Sequence, residues 1–238
     1  MIFPNGFEKN NSTKWAKLSR GKSIYYDNHP ILVKINFSIG TIYKTNYDNL
    51  VKYKEIEGGT NIDFADGSNM MIEFELSEEN FKGVQFESAG FHTNYTRNLN
   101  QNTKFHGGIH FGDEIIRYFD IPEQGDGRGI YGYVEYKISD SSNFSLGLQY
   151  QDVEDYYHGQ ILQSRFNHSF SSKLTMRTKV QYSGFSDTWF IEPMVTYQPN
   201  AFSALYVGIN DLLTSNDGMF SNLSESERQF FIKFQYLF

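Results

Sequence analysis

At 238 residues, with a formal net charge of -7 and no cysteine, the chain has room for one large all-β domain. The acidic balance, with no basic stripe anywhere, argues against a nucleic-acid partner. The lack of cysteine removes disulfide frameworks, thiolate metal sites and cysteine nucleophiles.

Aromatic residues make up 17% of the chain, with 22 Phe and 17 Tyr against 2 Trp. These are strand formers, and Tyr suits an interface with one apolar and one wet side. Mean hydropathy is low at -0.52, and no apolar run approaches the ~20 residues of a helical span. A barrel with a polar lumen and polar loops has such an average. The N-terminal Met1-Ile2-Phe3-Pro4 stretch lacks the charged segment and apolar core of a secretory signal, so an exported protein would be represented by a mature piece or fragment. Residues 1–30 read as an N-terminal segment, the remnant of preceding strands, with one further strand possible at 21–27. Residues 31–238 read as the principal domain.

From there, period-two alternation recurs down the chain. Ile31, Val33, Ile35, Phe37 and Ile39 alternate with Lys34, Asn36 and Ser38. A polar connection is predicted over 44–58, then a short strand over 59–65 and a tight turn at Ala65-Asp66-Gly67. Met70, Ile72, Phe74 and Leu76 oppose Met71, Glu73 and Glu75. Medium and short connections are expected at 77–83 and 97–101, and a long one over 112–128. The glycine-rich Gly125-Asp126-Gly127-Arg128-Gly129 lacks the Lys-Ser/Thr of a P-loop and the ligand spacing of a calcium loop, so it reads as a flexible loop tip. Ile130, Val134, Tyr136 and Ile138 then oppose Tyr133, Glu135 and Lys137.

Beyond a short connection at 139–143, Phe144, Leu146, Leu148 and Tyr150 face away from Ser145, Gly147, Gln149 and Gln151. The predicted long loop 152–160 mixes Asp152, Glu154 and Asp155 with Tyr156 and Tyr157. Carboxylates beside aromatic rings make this the candidate glycan or calcium loop. Leu174, Met176, Val180 and Tyr182 oppose Lys173, Arg177, Lys179 and Gln181, and Trp189, Ile191, Val195 and Tyr197 oppose Glu192, Thr196 and Gln198. Pro193 cannot donate to a ladder and predicts a bulge or an edge. After a long connection over 211–227, the ending places Phe230, Ile232, Phe234, Tyr236 and Phe238 opposite Gln229, Lys233 and Gln235.

No window carries helical periodicity, and connections alternate between short and long. The pattern predicts an antiparallel up-and-down transmembrane β-barrel of about twelve or more strands, alone or as part of a larger barrel. The inward set Glu135, Lys137, Arg165, Lys173, Arg177, Lys179, Glu192 and Lys233 is mixed in sign, as a wet or plugged lumen requires. His106 and His110 share a face but lie about 13 Å apart along a strand, too far to ligate one metal. His168 and Ser169 point to opposite faces and cannot form a nucleophile–base pair, whereas His168 shares a face with Phe166 and Phe170. No catalytic residue, cofactor or metal ligand is assigned.

The stretch Gln163–Asp211, with Lys173-Leu174-Thr175-Met176-Arg177, Glu192-Pro193-Met194-Val195 and Tyr206-Val207-Gly208-Ile209-Asn210-Asp211, resembles a family of Gram-negative envelope proteins. The ending Glu227-Arg228-Gln229-Phe230-Phe231 onward, Phe64-Ala65-Asp66-Gly67-Ser68 and Gly129-Ile130-Tyr131-Gly132 fit the same pattern. Those proteins join an N-terminal family-9-type carbohydrate-binding module to a large C-terminal domain of unknown function, read as an outer-membrane β-barrel. The chain resembles the C-terminal half of that domain, over about residues 58–238. The resemblance implies an outer-membrane location and lipid as a partner, with a glycan and the barrel-assembly machinery, through the C-terminal strand, as further partners. It implies no reaction. The leading expectation is a non-enzymatic barrel in passage or surface handling of glycans or related molecules. The alternatives are a membrane-bound hydrolase with its site on outer loops and a soluble glycan-binding β-module.

Overall fold

The computed structural model describes residues 13–215 and 219–236. Residues 1–12 of the N-terminal segment and the terminal Phe238, expected on the apolar face, lie outside the described residues. The fold is all-β, with no helix among the described residues. Thirteen strands form one sheet in the order of the sequence, each antiparallel to the next. They are β1 (Thr13–Tyr25), β2 (Leu32–Asn46), β3 (Val51–Phe64), β4 (Asn69–Phe81), β5 (Val84–Asn100), β6 (Thr103–Ile116) and β7 (Glu123–Ser139). β8 (Ser142–Val153), β9 (Tyr157–Ser169), β10 (Leu174–Ser183), β11 (Thr188–Asn200), β12 (Ser203–Thr214) and β13 (Ser224–Tyr236) complete it. β1 thus covers the possible strand at 21–27 and much of the N-terminal segment.

The strands run further than the apolar alternation does. The connection expected over 44–58 shrinks to 47–50, that over 112–128 to 117–122, and that over 152–160 to 154–156. The one expected over 211–227 shrinks to 215–223. The short strand at 59–65 is the last half of the fourteen-residue β3. Sorting of connections by length is therefore weaker than expected. The physical reason is that ladder hydrogen bonds do not need an apolar face, so strands extend through stretches that are polar on both sides. Turns use residues that tolerate left-handed backbone: Asn49, Asp155 and Asp187 have φ of 64°, 64° and 48°. Lys82 and Gly83 form a two-residue hairpin turn with φ of 51° and 83°, the positive pair that a type I′ turn requires.

Two further expectations are corrected. Gly125–Gly129 lies inside β7 and is no loop tip. A Cβ on Gly127 would sit 2.4 Å from the Glu114 Cγ, so the glycine permits close approach of neighbouring strands. Pro193 sits in β11, between β10 and β12, where the ladder to β10 passes through it in register opposite Thr178. On the β12 side the pairs Ile191↔Asp211 and Met194↔Gly208 keep one register, so there is no bulge.

The chain divides into two compact units, one comprising Met1–Thr93 and His110–Gly127, the other Asn94–Ile109 and Arg128–Phe238. Within the first, registers align Phe37, Thr60 and Ile72 in one row and Thr41, Ile56 and Leu76 in another, all on one face. Within the second, Met176, Val195, Val207 and Ile232 form a row on one face, as do Leu148, Leu162, Tyr182 and Trp189. This apolar face is uncovered: Phe230, Ile232 and Phe234 are 71%, 76% and 67% exposed. Buried apolar side chains among the described residues are few: Phe86, Ile116, Val153, Tyr182, Trp189 and Ala204. Among the described residues neither unit shows the closed apolar core of a β-sandwich.

Candidate functional site

The polar face carries the chemistry, and its charge differs between the two units. In the first unit, the register puts Glu57 opposite Glu75 and Gly59 opposite Glu73, with Glu55 two residues away on the same face. Lys17 pairs with Glu57 at 2.6 Å, Tyr53 donates to the Glu55 carboxylate, and the His92 ring lies 3.9 Å from Glu73. Glu55 and Glu57 fall in the stretch 44–58 for which the sequence predicts a polar connection, and the structure places them in β3. Their alternation with Ile56 is the sequence signal for that strand.

In the second unit the balance reverses. One row crosses four strands: Glu192 on β11, Lys179 on β10, Arg165 on β9 and Ser145 on β8. The next row holds Met194, Arg177, Asn167 and Asn143, and the Asn167 amide donates to the Asn143 carbonyl oxygen at 2.7 Å. Arg177 forms the ion pair with Glu192, so Lys179, which lies directly opposite Glu192, leans instead over the Phe190 ring, 5.7 Å from its centroid. Lys137 is taken by Asp140 at 2.5 Å, and this hydrogen bond holds the fully exposed Asp140 carboxyl below its usual range. Lys233 lies over the Tyr206 ring. The mixed-sign inward set therefore resolves into pairs plus a surplus of cations.

Next to this row lies a recess of about 350 Å³ lined by Lys104, His106, Tyr133, Glu135, Gln163, Arg165 and Lys179. A larger recess of about 830 Å³ runs beside it, along Asn98, Lys104, Lys137, Asn143, Arg165 and Asn167. His106 is anchored by a 2.8 Å hydrogen bond between its Nδ1 and the Thr96 hydroxyl, and its ring lies beside Tyr131 and Tyr133.

The candidate loop does not assemble. Asp152 lies one residue before the end of β8 on the apolar face, where Arg128 donates to its Oδ2 from Nε at 2.8 Å and from a terminal nitrogen at 2.6 Å. Tyr157 opens β9 opposite Val153 on the other face, its hydroxyl accepting from the Gln151 amide at 3.2 Å and its ring 6.1 Å from that of Phe185. Glu154, Asp155 and Tyr156 form the tight turn between them, closed by the Tyr156 N–H donating to the Val153 carbonyl at 3.0 Å. The five residues therefore point to no common centre. Among the described residues no three His, Asp or Glu side chains come together as a metal set.

His168 keeps the company expected of it. Its ring stacks parallel to Phe166 at 6.4 Å and meets Phe170 edge-on at 4.5 Å. Its Nδ1 is 2.7 Å from the hydroxyl of Ser142, directly opposite on β8, a serine that reasoning along one strand could not find. No carboxylate or amide among the described residues orients the other ring nitrogen, so the pair lacks the third group of a nucleophilic triad.

Comparison of the chain with known protein families and with curated proteins returns no match.

Proposed function

We propose that the chain forms all or part of an outer-membrane β-barrel, with its apolar face in lipid and its polar face lining a wet interior, acting in passage or surface handling of glycans or related molecules. The observation that carries this reading is the uncovered apolar face of a meandering antiparallel sheet. A surface of that kind is unstable in water and requires a cover. Lipid suits it because the apolar rows end in amphipathic aromatics. At one rim Tyr197 near the end of β11 and Tyr236 at the end of β13 stand on this face, 45% and 55% exposed.

Charges on the apolar side near the strand ends are paired across strands: Lys54 with Glu78 at 2.8 Å, and Arg228 with Asp211 at 2.8 Å. Closure of the sheet would remove its two edges, which lipid does not tolerate. The glycan element of the proposal rests on the family resemblance alone.

The test is refolding of the full chain into lipid vesicles and planar bilayers. The expected result is heat-modifiable migration in detergent together with stepwise conductance. A monodisperse, detergent-free monomer would overturn the reading.

A further inference from the structure

Arg165 and Lys179 sit directly opposite one another on neighbouring strands, on the same polar face. Like charges directly opposite one another destabilise the pair unless a counter-charge lies close. Here the nearest carboxylate in the row, Glu192, is engaged by Arg177. Neither Arg165 nor Lys179 has an ion pair among the described residues, and Lys104, across the recess, has none either. Glu135 is the sole carboxylate in the lining, so three cations face one anion around about 350 Å³. Asn and Gln side chains rim the same space, including Gln163 and, in the adjoining recess, Asn143 and Asn167. A carboxamide donates to an anion and also accepts from hydroxyl groups.

We infer that this recess is an anion-binding site, with Arg165 and Lys179 as a two-pronged clamp for a carboxylate, sulfate or phosphate group. The guanidinium of Arg165 supplies a planar, bidentate fork, and the ammonium of Lys179 supplies a point charge beside it. Lys104 adds charge from the opposite wall, and the amides hold the polar remainder of the solute. The anion relieves the repulsion between the two opposed cations. This inference deepens the proposed glycan-handling role, since it favours acidic over neutral sugars, but the site itself needs only the folded strands.

Its test is therefore done in detergent micelles, where transport plays no part. The full chain is titrated with inorganic sulfate, with trigalacturonate and with neutral maltotriose at low ionic strength. Trigalacturonate is expected to bind at least about fivefold more tightly than maltotriose. The double change Arg165→Gln and Lys179→Gln is expected to remove that advantage. Glu135→Gln, which deletes the opposing charge and should fold whether or not the double variant does, is expected to tighten binding about threefold. Sulfate binding without any gain from the sugar backbone supports an anion site for inorganic ions. Equal binding of maltotriose and trigalacturonate, or a Glu135→Gln variant no tighter than the parent, overturns the inference. Either failure leaves the conductance test of the barrel untouched.

Discussion

Arg177 reaches past the residue directly opposite it, Met194, to pair with Glu192, and in doing so takes the carboxylate that faces Lys179. That choice of partner leaves Lys179 beside Arg165 without a counter-charge and sets the electrostatics of the polar face. Glu192 holds the surplus at two by satisfying one of three neighbouring cations. Replacing it with Gln should free Arg177 as well and leave all three unpaired. Glu192→Gln is expected to lower stability by about 1 kcal/mol, read from urea unfolding in micelles, with part of the loss recovered by added sulfate.

β1 carries the principal exception to the apolar face. Arg20 lies opposite Ile39, and Lys22 lies opposite Phe37. Charge near the midplane of a lipid-facing strand costs roughly 2–4 kcal/mol. Arg20→Leu is therefore expected to stabilise the protein by about 2 kcal/mol in vesicles and by much less in micelles. Unfolding midpoints in the two media give the comparison. Equal effects in both would mean that β1 does not meet lipid.

At the turn 154–156, Asp155 holds a left-handed backbone at φ 64°. Asp155→Gly removes the steric cost of that conformation and should stabilise the fold by about 0.5 kcal/mol. Because the carboxylates and rings of this turn point apart, calcium is expected to leave the melting temperature of parent and variant unchanged. A calcium-dependent rise lost in Asp155→Gly would restore the turn as a ligand site.

The alternation of Val33, Ile35, Phe37 and Ile39 made β2 legible in the sequence, as did the endings of β11 and β13. The stretch from Val51 to Gly58 was not legible as strand. Its Lys52, Lys54, Glu55 and Glu57 leave little apolar contrast between faces, so the alternation of Glu55 and Glu57 with Ile56 is a weak signal that the ladder to β2 and β4 makes plain. Gly125–Gly129 misled for a related reason: glycines that allow close strand approach look the same in sequence as glycines that allow turns. The inward orientation of Arg165, Lys179 and Glu192 was readable from parity. Their juxtaposition was not, because register between strands depends on connection geometry that parity does not encode. Ser142 opposite His168 was invisible for the same reason.

β13 tests, at one-residue resolution, the proposal that one face of this sheet meets lipid and the other does not. Phe234 lies opposite Leu205 on the apolar face, and Gln235 lies opposite Ala204 on the polar face. The measurement is the fraction of folded protein recovered in vesicles for Phe234→Arg and for Gln235→Arg. Phe234→Arg is expected to impair insertion, losing roughly 2–4 kcal/mol, while Gln235→Arg is expected to insert like the parent. Equal recovery of the two variants would contradict it.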